Sequence, residues 1–120
     1  MKRIGLVIAG AMFAMGTMMA AQGTPAQVAN GKKLHGSKKC VQCHTIEGKG
    51  GTLTKLYPLD GVGAKLSADD IKRWLTHPEE MEAKVEKPAK MKMSSKKVPI
   101  TPEEADAITA YMLTLTTPRK

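Results

Sequence analysis

Beyond residue 22, this chain has only Tyr57, Trp74 and Tyr111 as large aromatic side chains with which to build a core. A domain of roughly a hundred residues buries too little apolar surface to be more than marginally stable by that means alone. Small domains of this kind draw on a disulfide framework, a metal or a cofactor for the missing buried bulk. Two cysteines, Cys40 and Cys43, are all the chain contains, so a disulfide framework is excluded.

The full 120 residues leave room for one domain and a leader. Lys2 and Arg3 give a positive start, Ile4 to Ala20 is almost wholly apolar, and Ala20, Ala21 and Gly23 are small residues suited to cleavage. Residues 1–22 therefore read as a secretory signal peptide, and 23–120 as the mature domain. The alternative is a retained anchor, but the apolar run lies near the lower limit for spanning a bilayer and is diluted by Gly5, Gly10 and Gly16.

The chain carries 19 basic and 11 acidic residues, a formal charge of +8. Lysines cluster at Lys32, Lys33, Lys38, Lys39, Lys49 and Lys55, and again between Lys84 and Lys97. They read either as a solvated surface or as a field that steers an acidic partner. An exported chain with no nucleic-acid motif argues against DNA or RNA as that partner.

Three helices are predicted from their starts. Thr24-Pro25-Ala26-Gln27 combines an N-cap, a first-position proline and a capping box, with a helix running from there toward Cys40. Ser67 caps a second helix, Asp69 and Asp70 stand near its positive end, and Ile71, Trp74 and Leu75 share one face. Pro78 ends it and is placed to start a short helix through Met81. Thr101-Pro102-Glu103-Glu104 opens the last helix, whose apolar face is Ala105, Ile108, Tyr111, Met112 and Leu115. Glu47 to Lys65 and Lys84 to Ile100 read as irregular, and no segment alternates like a strand. The expected fold is all-α, with three main helices, short helices and long loops; loops of that length in a small domain usually have a function.

The chemistry is concentrated in Cys40-Val41-Gln42-Cys43-His44, a C-x-x-C-H sequence and the signature of haem attachment. Two thiols one turn apart can each add to a vinyl group on one haem edge, and the next residue, His44, is held against the iron. Two other readings of the cysteine pair meet obstacles. A thioredoxin-like redox pair accompanies a βαβ pattern, which this chain lacks. A structural zinc site needs a second ligand pair, and neither His35 nor His77 has a C-x-x-C partner at finger spacing.

From about Thr24 to Leu115 the chain resembles the class I mono-haem cytochromes c of bacterial periplasms. The resemblance rests on Ala29-Asn30-Gly31-Lys32, the Cys40–His44 pentad, Gly48 to Gly51, Tyr57-Pro58-Leu59, Asp60-Gly61-Val62-Gly63, Ile71 to Pro78, and Thr101 through Leu115. It implies that the first and last helices cross where Gly31 meets Tyr111. It implies that the Pro58 carbonyl accepts a hydrogen bond from His44 and that Leu59 packs on the haem face. Trp74 would lie against the haem or bond a propionate, or else be plain core. His35 sits where the family often has an aromatic, and packing is its expected role. The second axial ligand would be a methionine from the loop before the last helix. Met93 has the family's spacing to Thr101, although Ser94 stands where a proline usually follows; Met91 is the alternative.

The function implied is that of a periplasmic one-electron carrier. Its one haem c is held by two thioether bonds, with His44 and Met93 as axial ligands. A closed iron makes such a protein a carrier and not an enzyme. The implied partners are redox proteins with acidic docking surfaces, met by a monomer that touches membranes only through membrane-bound redox complexes. An open distal position would instead suit a gas or small-ligand sensor, and the same fold would serve as a haem subunit of a larger oxidoreductase.

Overall fold

A computed structural model describes residues 23–87 and 89–118. The expected signal peptide lies outside these residues. Helix α1 (Pro25–Ser37) begins as its cap predicts: Thr24 Oγ1 accepts from the Gln27 amide at 3.2 Å, and Gln27 Oε1 accepts from the Thr24 amide at 3.0 Å. The helix stops short of Cys40. Lys39 takes the left-handed conformation at φ 63°, and the chain enters a single 3₁₀ turn over Cys40–Gln42.

Three short strands follow: β1 (His44–Ile46), β2 (Lys49–Gly50) and β3 (Tyr57–Pro58). They form one sheet in the order β2-β1-β3. β1 runs antiparallel to β2, with Thr45 opposite Gly50, and parallel to β3, with His44 level with Tyr57 and Thr45 with Pro58. β2, β3 and the one-turn helix α2 (Val62–Lys65) lie in the stretch from Glu47 to Lys65 expected to be irregular. Strands of two or three residues are too short to carry an alternating pattern, so only pairing reveals them.

Helix α3 (Ala68–Thr76) is capped by Ser67, whose Oγ accepts from the Asp70 amide at 3.1 Å. Pro78 then opens α4 (Pro78–Glu82), as expected. Between α4 and the last helix the described residues form neither helix nor strand. Helix α5 (Pro102–Leu113) opens on the second capping box, with Thr101 Oγ1 on the Glu104 amide and Glu104 Oε1 on the Thr101 amide at 3.2 and 3.0 Å.

α1 and α5 meet at backbone distance. A Cβ on Gly31 would lie 1.9 Å from the Ala107 carbonyl oxygen and 2.9 Å from the Tyr111 Cβ, so no side chain fits at 31. The expected Gly31–Tyr111 contact is thus present, with Ala107 closer still. A second tie joins the helices at the end of α1: Lys38 Nζ pairs with Glu104 Oε2 at 2.9 Å and donates to the Pro99 carbonyl at 3.3 Å. The core centres on Ile71 of α3 and Ile108 and Met112 of α5, with Leu34, Leu59, Leu66 and Leu75 packed around them.

Candidate functional site

Both thiols rise from the turn that α1 leads into. Side chains three apart on a 3₁₀ turn eclipse one another, so Cys40 and Cys43 are offered toward the same side. The Cys43 amide closes this turn on the Cys40 carbonyl at 3.2 Å. The loop after β2 fastens it from outside, through the Gly51 amide on the Val41 carbonyl at 2.6 Å and the Leu53 amide on the Gln42 carbonyl at 2.8 Å. The cysteines are half-buried and not joined to each other. Burial pushes the Cys40 thiol above its ordinary value, which keeps it protonated at neutral pH.

His44 follows at the start of β1, and its ring is fixed by β3. Its Nδ1 lies 2.9 Å from the Tyr57 carbonyl oxygen, and its ring meets the Tyr57 ring edge-on at 6.5 Å. A carbonyl only accepts, so Nδ1 carries the hydrogen and Nε2 keeps a lone pair. Burial lowers the His44 pKa and the bond to Tyr57 partly opposes it, so the ring is neutral at pH 7. A neutral imidazole presenting Nε2, with Nδ1–H on a carbonyl, is the form that binds a metal.

The acceptor is a correction to the sequence reading, which gave this role to Pro58. The parallel register puts Tyr57, not Pro58, level with His44. Pro58 has no N–H, and the pairing resumes with the Leu59 amide on the Thr45 carbonyl at 2.9 Å. Nothing in the Tyr57-Pro58 dipeptide tells which carbonyl faces the ring, because the register is set between residues 13 apart in sequence.

Two unjoined thiols on one side of a turn, followed by an imidazole with Nε2 open, fit a covalently held haem. The family model for cytochrome c matches residues 28–116, from within α1 to just beyond α5. The chain belongs to the cytochrome c family. No curated protein and no solved structure gives a match.

As a cytochrome c, the chain is a haem-based electron carrier with the all-α fold of its family. Leu59 is half-buried and packs against the core cluster, with its amide tied to β1. Trp74 is half-buried too, but it stands outside the core cluster, and its indole N–H makes no hydrogen bond among the described residues. Met91 and Met93 do not sit alike. Met91 is 44 % exposed, while Met93 is half-buried in a surface groove with Glu79, Glu82, Ala83, Val85 and Lys92. The loop that carries both methionines is tied to the His44 side of the fold at Tyr57, whose hydroxyl accepts from the Met91 amide at 3.1 Å.

His35 packs as expected. It is 5 % exposed, and its ring meets Tyr111 edge-on at 6.0 Å. Its Nε2 is buried without a hydrogen-bond partner. Sequence reasoning missed the carboxylates that hold the cytochrome's loops. Asp60 Oδ1 accepts from the Glu47 amide at 2.8 Å, Glu82 Oε1 from the Ala89 amide at 2.8 Å, and Glu79 Oε1 from the Ser95 amide and hydroxyl, each at 2.9 Å. These contacts join residues 7 to 16 apart, beyond any local motif.

Proposed function

We propose that this cytochrome c holds one haem through thioether bonds from Cys40 and Cys43, with His44 and Met93 as its axial ligands. It shuttles single electrons between redox proteins and transforms no substrate. The observation that supports this best is the state of His44. Directly after the thiol pair stands an imidazole locked by the Tyr57 carbonyl into the tautomer with Nε2 open. Haem, when bound there, supplies reversible one-electron chemistry at iron, and a thioether opposite histidine raises its potential. The Tyr57 carbonyl makes His44 the more basic ligand. Met93 is favoured over Met91 by its spacing to Thr101 and by its lesser exposure.

Optical spectra of the oxidised protein, before and after Met93→Leu, test the ligand pair. Loss of the iron–sulfur charge-transfer band in the variant is the expected result. Survival of the band moves the assignment to another methionine, Met91 first, whereas a wild-type spectrum without the band means an open distal position. A second reading, an open distal position and with it a small-ligand sensor, is favoured by Ser94, which stands after Met93 where the family's proline usually follows the ligand. Carbon monoxide binding to the reduced wild-type protein at neutral pH separates the two, since an iron with both axial positions filled does not bind it readily.

The site of action is the periplasm, reached after removal of residues 1–22. The basic start, the apolar run and the small residues near Ala20 support that reading. Among the described residues no helix is long and apolar enough to cross a membrane. N-terminal sequencing of the mature protein tests it: the first residue should fall between Ala21 and Thr24, and a chain that starts at Met1 would overturn export by cleavage.

A further inference from the structure

Tyr57 touches both halves of the site. Its carbonyl takes the His44 Nδ1 hydrogen at 2.9 Å, its ring lies edge-on to the imidazole, and its hydroxyl accepts from the Met91 amide at 3.1 Å. The last contact spans 34 residues of sequence and reaches the methionine loop from the opposite side of the chain. The described residues of that loop form no helix or strand. Besides Tyr57, its ties to the rest of the fold among the described residues are the Ala89 amide on Glu82, the Ser95 amide and hydroxyl on Glu79, and the Lys38 ammonium on the Pro99 carbonyl near its far end. The two carboxylate ties lead to α4, and they flank Met91 and Met93 on either side. Among the described residues, Tyr57 alone connects the stretch between them by a hydrogen bond to the strand that orients His44.

We infer that Tyr57 is a positioning residue for both axial ligands: its carbonyl fixes the histidine, and its hydroxyl holds the methionine loop closed over the iron. The two functions reside in different atoms of one residue. A loop with no internal backbone ladder opens readily, and each hydrogen bond that holds it shut raises the cost of releasing the methionine. Removing the hydroxyl frees the Met91 amide and leaves the carbonyl and ring beside His44. The inference rests on the methionine of this loop being the distal ligand.

Tyr57→Phe in the haem-loaded protein tests it with two readouts. The first is the affinity of the oxidised protein for imidazole, which must displace the methionine to bind. Loss of one neutral hydrogen bond from the closed loop is expected to tighten imidazole binding about fivefold and to weaken the iron–sulfur band. The second is hydrogen exchange at the Met91 amide, which is expected to speed up in the variant whichever group occupies the distal position. Unchanged imidazole affinity with the iron–sulfur band intact would overturn the inference, and so would unchanged exchange at Met91. A failure of the ligand reading looks different: Met93→Leu and Met91→Leu would both keep the wild-type spectrum, while the exchange measurement would still decide whether Tyr57 holds the loop.

Discussion

His35 packs its imidazole where the family often has an aromatic, against Tyr111, and burial together with the nearby His44 holds its pKa down to about 4. The folded chain therefore keeps His35 neutral down to that pH, whereas the unfolded chain protonates it near pH 6.5. Stability from this residue is complete above pH 6.5 and declines as the pH falls toward 4, by at most about 1.4 kcal/mol per pH unit. His35→Phe removes the titration and keeps a ring on Tyr111. Thermal unfolding followed from pH 7 to pH 4 should show a shallower acid decline for the variant than for the wild type; parallel declines would contradict it. The thiols and His44 were legible as a candidate haem site because covalent attachment demands fixed spacing within five consecutive residues. Tyr57 was not legible as the partner of His44, because its role follows from a strand register and a tyrosine hydroxyl carries no signature of what it will bond.

The helix starts could be read because a capping box is a hydrogen-bond exchange between residues three apart. Thr24 with Gln27 and Thr101 with Glu104 both close as expected. Thr101→Ala should cost about 1 kcal/mol in denaturant unfolding, the usual value of such a cap. Glu104 does more than cap. Its hydrogen bond and ion pair with Lys38, with the Thr101 amide adding to them, hold its carboxyl below the usual range. Its contribution is accordingly present above the ordinary glutamate pKa and is lost as the pH falls through the lowered one. The α1–α5 crossing is the least forgiving contact between elements. Gly31→Ala puts a methyl into the Ala107 carbonyl, and should destabilise by about 3 kcal/mol, the upper part of the range for overpacking, because backbone and not a side-chain tip must yield. A denaturation midpoint close to the wild type would mean that the helices can separate there. The three short strands escaped sequence reading because their existence depends on pairing, not on pattern.

The molecule as a whole buries little hydrophobic bulk. Among the described residues the buried hydrophobic ones are Ile71, Ile108, Met112 and three alanines of α5, while Leu53 and Leu56 remain 62 % and 63 % exposed. A core this thin matches the shortage of large rings from which the cofactor was first argued. The lysines form a basic exterior, with Lys33, Lys49, Lys87 and Lys96 among the exposed ones. Electron exchange with an acidic redox protein should therefore slow as salt is raised from about 10 to 200 mM, as expected when charges are screened over shorter distances. An insensitive rate would remove the steering proposal while leaving the haem site in place. What decides the site itself is the intact mass and absorption spectrum of the exported protein purified without reductant. The expected product is coloured and heavier than the processed polypeptide by one haem, which remains on the Cys40–His44 peptide after proteolysis. A colourless product with Cys40 and Cys43 free, or bonded to each other, would contradict it.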